Sequence, residues 1–293
     1  MTAIRADAPR FAFGKNWSRF VRSSFTQERA DIARKHLLEF LGRADLEGVD
    51  MLDIGCGSGL HSLAAFQARA RRIQSFDYDP DSVATTERLW RHAGEPASWS
   101  FARGDVLDTA AMARLGKWGL VYSWGVLHHT GAVWRAIENA QACVADGGLL
   151  YIALYSADVQ SKEEQAFWIA TKQDYNRRGW VGRQRLAAWY IWTYMMGRKW
   201  SRVPLVAKRM ITHRLTRGMS MMTDIHDWLG GWPMEYTHDQ DVVDLLEGKH
   251  GFRLVNIKSG EACTEFLFRR SGPPDTRTSA KELVAKLRLA RSR

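Results

Sequence analysis

Residues Met51–Leu60 read MLDIGCGSGL, and the fold follows from how this run is built. Met51–Ile54 is a short apolar run. Glycines follow at 55, 57 and 59, and Leu60–Ala68 then takes up helical spacing. A brief apolar run that stops at glycines reads as a buried strand entering a tight turn. Glycine lets the backbone turn sharply and approach a ligand with no Cβ in the way, and backbone N–H groups at the next helix start face whatever lies there. GxGxG alone names no ligand, but here strand, turn and helix supply its context. The turn is shorter than the GxGxxG of dinucleotide sites, and no pyrophosphate-binding feature accompanies it. Asp53, at the strand end, would repel a phosphate and suits a ligand carrying an ammonium group; a capping or turn carboxylate is the alternative.

Outward from this run, strand and helix patterns alternate. Gln27–Arg43 has helical periodicity, with Ile32, Leu37, Leu38 and Leu41 as its apolar members. Arg72–Phe76 reads as a second strand closed by Asp77, and Asp81–His92 as a helix opened by Pro80 or Asp81. Trp99–Ala102 is a third strand ending in Gly104-Asp105, and Leu120–Trp124 a fourth, followed by a helix over Ala132–Val144. Gly148–Tyr155 is the fifth strand, entered through Asp146-Gly147-Gly148. This alternation predicts an α/β, Rossmann-like, mostly parallel sheet with helices on both faces. Two late strands, Phe252–Lys258 and Cys263–Phe268, are joined by only Ser259–Ala262 and so must pair antiparallel.

Between the fifth strand and this pair lies Ser156–Thr237, rich in Trp, Tyr, Met and Arg and without strand pattern. It reads as a mostly helical insertion leaving the carboxyl edge of the sheet, where open α/β sheets bind ligands. The expected organisation is an N-terminal arm or lid over 1–26, a ligand-binding α/β unit over 27–155 and a substrate-side insertion over 156–237. The final helix and strand pair follow over 238–272, and a basic tail over 273–293. The tail has Leu283, Leu287 and Ala290 on one helical face, suited to docking on the body or to pairing with a second copy.

The strand ends carry further acidic points. Asp77 stands about 20 residues past the glycines, where a carboxylate accepts hydrogen bonds from both hydroxyls of a ribose, and Tyr78 beside it can pack on a purine. Asp105 at the third strand end can accept from an adenine amino group, with the Val106 N–H reaching a ring nitrogen. LDIGCGSG, FDYD, GDVLD, VYSWGVLHH and DGGLLYIALY occur in an order and spacing that resembles the class I S-adenosylmethionine-dependent methyltransferases, over about Trp17–Tyr155. The resemblance implies a seven-stranded sheet with the last strand antiparallel between its neighbours. It implies that Gly55, Gly57 and Gly59 approach the methionine part of the cofactor, Asp77 the ribose, and Asp105 with Val106 the adenine. Trp124 would lie near the sulfonium.

A narrower resemblance rests on FGKNW (Phe13–Trp17), SWGVLHHTG (Ser123–Gly131), RGMS (Arg217–Ser220), DWLGGWPMEY (Asp227–Tyr236) and TEFLF. These are similar to a bacterial group loosely labelled quinone-methylase-like. Its members usually carry Asn-Asp-Gln-Gly after the fifth strand; Ser156-Ala157-Asp158-Val159 stands here, so no substrate is carried over. Methyl transfer to a hydroxyl requires that its proton leave, a task suited to a histidine of near-neutral pKa. His128 and His129, at the end of the fourth strand, are the catalytic candidates, with helix capping or core filling as the alternative. His226-Asp227-Trp228 with Glu235-Tyr236 is the candidate substrate wall, read as a shaped loop because Gly230, Gly231 and Pro233 interrupt it; a structural turn is the competing reading. Phe13–Trp17 can fold over the cofactor, with Trp17 packing and Lys15 facing the methionyl carboxylate. An O-methyltransferase of a small molecule or glycan precursor is the expectation. N-methylation, tRNA methylation and a non-catalytic binding role are alternatives.

The chain has 293 residues and a net charge of +10. Its basic residues read as dispersed, densest at Arg69–Arg72, Arg177–Arg185, Lys199–Arg217 and Lys281–Arg293. Solvated basic faces account for this more simply than a nucleic-acid footprint. Cys56, Cys143 and Cys263 form no CxxC pair, which suggests neither zinc nor a disulfide framework. His, Asp and Glu in the second cluster lack diagnostic metal spacing, and no metal is expected. No apolar run approaches the roughly 20 residues of a membrane span. The opening MTAIRADAPRFAFGKNW lacks a secretory apolar core, so a cytoplasmic protein, with a homodimer possible, is expected.

Overall fold

The computed structural model describes residues 11, 13–216, 221–260 and 262–271. The RGMS segment and the basic tail lie outside the described residues, as does the Lys15 side chain. Seven strands form one sheet: β1 (Asp50–Ile54), β2 (Arg72–Asp77), β3 (Trp99–Arg103), β4 (Trp118–Trp124), β5 (Val144–Tyr155), β6 (Phe252–Ser259) and β7 (Cys263–Arg270). Their spatial order is β3-β2-β1-β4-β5-β7-β6, with β7 antiparallel to both neighbours and the other pairings parallel.

Period-two alternation along the central strands buries both faces. Met51, Leu120 and Tyr122 face one core, where they meet Leu37 of α2 (Gln27–Leu41), Leu63 of α3 (Leu60–Gln67) and Leu89 of α4 (Pro80–His92). Leu52, Ile54 and Val121 face the other, with Met112 of α5 (Thr109–Arg114), Ile137 of α6 (Val133–Ala142) and Val242 of α11 (Asp239–Val243). Side-chain caps fix where helices begin. Asp79 accepts from the Asp81 N–H at 2.9 Å ahead of Pro80, and Asp108 accepts from the Ala111 N–H at 2.9 Å.

The stretch after β5 is helical: α7 (Lys162–Arg177), α8 (Trp180–Tyr190, continuing as a π-helical turn to Met195), α9 (Val203–Thr216) and α10 (Met221–Gly230). A Ser161/Glu164 capping box starts α7. These helices have their own apolar cluster, built on Trp168, Tyr175, Ala187, Met221, Ile225 and Leu229.

Three local features differ from the sequence reading. Gly14–Ser24 forms a helix, α1, held by the Gly14 N–H donating to Asp79 Oδ2 at 2.9 Å; a Cβ at Gly14 would lie 2.6 Å from the Asp81 Cβ, so glycine permits this approach. α5 is a short helix that no run of apolar periodicity announces. β5 starts at Val144 rather than Gly148, because Val144 pairs with Trp118 and the Asp146-Gly147-Gly148 turn is absorbed as a register shift between Trp118 and Leu120.

Candidate active site

β1 and β4 are neighbours, yet the chain leaves β1 toward β2 on the opposite side. This is the topological switch point of an open α/β sheet, and its carboxyl edge opens a crevice. There the ends of β1 to β4 enclose a cavity of about 310 Å³. Gly55 sits at φ +74°, and a Cβ on it would stand 2.4 Å from Val126 Cγ1. Gly57, at φ +55°, has Trp17 of α1 stacked so closely that a Cβ would meet Trp17 Nε1 at 3.1 Å. Gly59 is different. It lines α4 rather than the cavity, and its absent Cβ leaves room for Thr86 at 3.0 Å. The third glycine of the motif is therefore a helix-packing glycine, which corrects its assignment to the cofactor.

The cavity floor is acidic. Asp53 is fully buried, accepts from Ser62 Oγ–H, and is pushed up to about 7 by burial, opposed by the Ser62 hydrogen bond and raised further by Asp77. Asp77 accepts from the Gly57 N–H and the Asp79 N–H, both at 2.9 Å, and burial raises it to about 6. A buried and a half-buried carboxylate, both with raised pKa values, favour a ligand that brings positive charge and hydroxyl donors. Asp105 closes a turn by accepting from the Leu107 N–H at 2.8 Å and lines the cavity with Val106. Tyr78 and Trp124 also line it. Both are largely exposed, and the Arg103 guanidinium lies 5.5 Å from the centre of the Tyr78 ring.

The opposite wall comes from distant segments. The Phe11 N–H donates to the Trp232 carbonyl at 3.0 Å, and the Phe13 ring lies 5.3 Å from His129. With Trp17, these aromatics draw the N-terminal segment across the cavity mouth, and Asn16 Nδ2 donates to Asp227 Oδ1 on α10. His129, Thr130 and Trp232 complete the wall. His129 Nδ1 lies 2.6 Å from the Pro233 carbonyl oxygen, which can only accept; Nδ1 therefore carries the proton and Nε2 keeps its lone pair. Burial, then the nearby Lys172 charge, lowers His129 to about 3 against the Pro233 hydrogen bond, so it is neutral throughout the ordinary pH range.

His128 does not reach the cavity. It is buried behind β5, its Nδ1 accepts the Tyr155 N–H at 3.2 Å, and burial holds it well below the usual imidazole range. The expected histidine pair thus divides: His129 faces the cavity and His128 ties β4 to β5. None of the five residues expected to form a substrate wall lines the cavity either. His226, Asp227 and Trp228 stand on α10, a helix and not a loop. His226 Nδ1 is 2.7 Å from the Tyr175 hydroxyl, and Asp227 holds Asn16. Trp228 packs 5.2 Å from Trp168. Glu235 accepts from the Val133 N–H at 3.0 Å, serving the otherwise open start of α6, while the Tyr236 hydroxyl donates to Gln160 at 2.7 Å.

Behind this wall lies Lys172 of α7, fully buried, which the sequence reading passed over. Its Nζ donates to the Trp228 carbonyl and sits 4.3 Å from the Trp228 ring centre. Burial lowers it to about 7, opposed by Asp227 and Cys263. Phe11 and Trp232 were also missed, since they meet each other across most of the chain; Thr130, held by local bonds to Leu127 and Ala132, carries no sequence signal of its own. Among the described residues, no group of three or more His, Cys, Asp or Glu gathers as a metal would require.

A doubly wound sheet whose switch point carries GCGSG and successive acidic strand ends defines a nucleoside-binding α/β enzyme. The family is shown directly: the model for the family described as a methyltransferase domain matches residues 25–195, and the chain belongs to that family. Its fold and strand-end motifs place that domain among the class I S-adenosylmethionine-dependent methyltransferases. The ribosomal protein L11 methyltransferase of Xanthomonas campestris pv. campestris (strain 8004) is 36% identical over 93 residues, covering 31% of this chain and 27% of that protein. The ubiquinone biosynthesis O-methyltransferase of Methylobacterium sp. (strain 4-46) is 26% identical over 141 residues, 48% of this chain and 54% of that one. The match therefore spans only about half of either relative's length, or less. Magnesium protoporphyrin IX methyltransferase from Synechocystis PCC 6803, solved with bound S-adenosylhomocysteine, shares the fold with a TM-score of 0.51 at 13% identity, covering 88% of this chain and 94% of that one. The glycine turn at Gly55 and Gly57, which lines the cavity, and the acidic floor fit S-adenosylmethionine, the cofactor of this class. No helix of the described residues is long and apolar enough to cross a membrane.

Proposed function

We propose that this methyltransferase acts on a hydroxyl of a small molecule, an O-methylation in which His129 orients the acceptor. S-adenosylmethionine supplies, when bound, an activated methyl group on a positively charged sulfur. Asp53 faces its ammonium group, Asp77 accepts from the ribose hydroxyls, and Asp105 with the Val106 N–H reads the adenine edge. Gly55 and Gly57 let the backbone approach, Tyr78 flanks the base, and Trp124 sits nearest the sulfur. The β1–β5 unit over 27–155, with 238–272, binds the donor; the insertion over 156–237 and the arm over 1–26 shape the acceptor side.

The observation that carries this reading is the fixed tautomer of His129. Its Nδ1 proton is committed to Pro233, which leaves Nε2 as an acceptor on the cavity wall. The half-buried, neutral imidazole accepts a hydrogen bond from the acceptor's O–H and aligns the oxygen for in-line displacement; with its pKa lowered to about 3 it orients the oxygen rather than keeping the proton, which passes to water as the product leaves. Phe11, Phe13, Trp17 and Trp232 exclude water.

The test is transfer of labelled methyl to a panel of hydroxylated, carboxylated and amine small molecules. Alkaline release of methanol separates esters from ethers and methylamines. His129→Ala is expected to lower kcat on a hydroxyl acceptor about a hundredfold, with affinity for S-adenosylhomocysteine changed less than about threefold. Unchanged kcat in His129→Ala, or transfer confined to amines or carboxylates, would overturn the proposal.

A further inference from the structure

The net charge of the chain is not dispersed. Between Asp174 and Asp224 there is no acidic residue and there are 11 Lys and Arg. Elsewhere 31 Lys and Arg stand against 32 Asp and Glu, so the whole excess belongs to this one stretch of the insertion. The same stretch holds the four most exposed large apolar side chains of the described surface. Trp180 is 75% exposed and Trp200 76%, with Leu205 at 61% and Val181 at 55%.

The two properties interleave. On α8 and its continuation, Val181, Arg185, Ala188 and Trp192 recur at helical spacing, and the first three are exposed. Trp192 stacks against Trp200, ring centres 4.6 Å apart, so the ridge runs on into the turn before α9. Around Trp200 stand Arg198, Lys199 and Arg202, all exposed and without a carboxylate partner among the described residues, followed by Val203 and Leu205 at the start of α9.

We propose that this face of the insertion docks on an anionic lipid bilayer, with Trp180, Trp200, Val203 and Leu205 entering the headgroup boundary and the flanking cations meeting lipid phosphates. Tryptophan has an apolar body and a polar edge that suit this boundary. Lys and Arg stems lie along apolar surface while their charged ends reach phosphate. Aliphatic exposure decides against a nucleic acid. An RNA surface would use the tryptophans for stacking and the cations for phosphates, but it offers Val181, Val203 and Leu205 nothing apolar to enter. Docking of this kind lies in the plane of the interface and needs no spanning helix.

The experiment is co-sedimentation of the full chain with vesicles of phosphatidylcholine alone or mixed with phosphatidylglycerol, at low and high salt, with tRNA as competitor. Binding is expected to the mixed vesicles only and to weaken at high salt. The triple variant Arg198→Gln/Lys199→Gln/Arg202→Gln is expected to lose on the order of a hundredfold in partitioning. Trp200→Ser/Leu205→Ser is expected to lose about tenfold or more. Unchanged melting temperatures and unchanged S-adenosylhomocysteine binding show that the variants are folded. The proposal is overturned if the wild type fails to bind mixed vesicles or binds phosphatidylcholine equally well. It is also overturned if Trp200→Ser/Leu205→Ser keeps full binding, or if tRNA binds and depends on the cations alone.

Discussion

The carboxyl ends of β1 to β4 and the wall facing them meet at one cavity but are made in opposite ways. On the donor side the acidic groups sit at strand ends between Asp53 and Asp105; Asp77 and Asp105 accept from backbone N–H groups of nearby turns, and Asp53 accepts from Ser62 on the helix that follows it. The facing wall is assembled from chain segments more than 100 residues apart: Phe13 on His129, Phe11 on Trp232, Pro233 on His129, Asn16 on Asp227. A donor common to a whole class of enzymes is met by local turn chemistry. The facing wall, which we propose receives the acceptor, is set by packing between elements, and so can change without disturbing the donor site.

The comparison breaks most severely at Gly55. Gly55→Val puts a β-branched residue at φ +74°, with its Cβ 2.4 Å from Val126 Cγ1. The expected cost is about 3–5 kcal/mol from strain and overpacking, read as a large fall in melting temperature together with loss of S-adenosylhomocysteine binding. A variant that melts and binds like wild type would refute a locally built donor site.

Lys172 sharpens the other side of the comparison. An unfolded lysine keeps its proton to about 10.5, whereas the folded one releases it near 7. Across that window the unfolded chain binds more protons, so the Lys172 contribution to stability rises with pH and is lost as pH falls toward 7. Wild type should gain up to roughly 1.4 kcal/mol per pH unit over Lys172→Met between those limits. Denaturation of the two proteins at neutral and alkaline pH reads this difference. Parallel curves would mean that Lys172 stays charged in the folded protein.

The different origins of the two sides also explain what the sequence reveals. Period-two apolar runs, glycines and caps act within a few residues, so all seven strands and the donor-side carboxylates are legible in order. Even there a motif misleads where two glycines serve different neighbours: Gly57 faces the cavity, and Gly59 faces Thr86. The acceptor wall is hidden because proximity in sequence does not imply a shared target. His128 and His129 are adjacent, yet a 3-10 turn over Leu127–His129 points them to different partners. His226 to Trp228 form a polar, aromatic cluster in sequence, but α10 spreads them onto Tyr175, Asn16 and Trp168. α1 was hidden for the same reason, since its first residue is anchored by Asp79, 65 positions away. The concentration of charge on the insertion was visible in the sequence. It lies in the absence of acidic residues between Asp174 and Asp224 rather than in a local run of basic ones.

The most direct measurement is calorimetric titration of S-adenosylhomocysteine into wild type and Asp77→Ala. Asp77 is the half-buried carboxylate that joins the glycine turn to the end of β2. Saturable one-to-one binding by wild type is predicted, weakened about a hundredfold or more in the variant through loss of charge-assisted hydrogen bonds. Equal affinity in the two proteins, or no binding by wild type, would contradict the account.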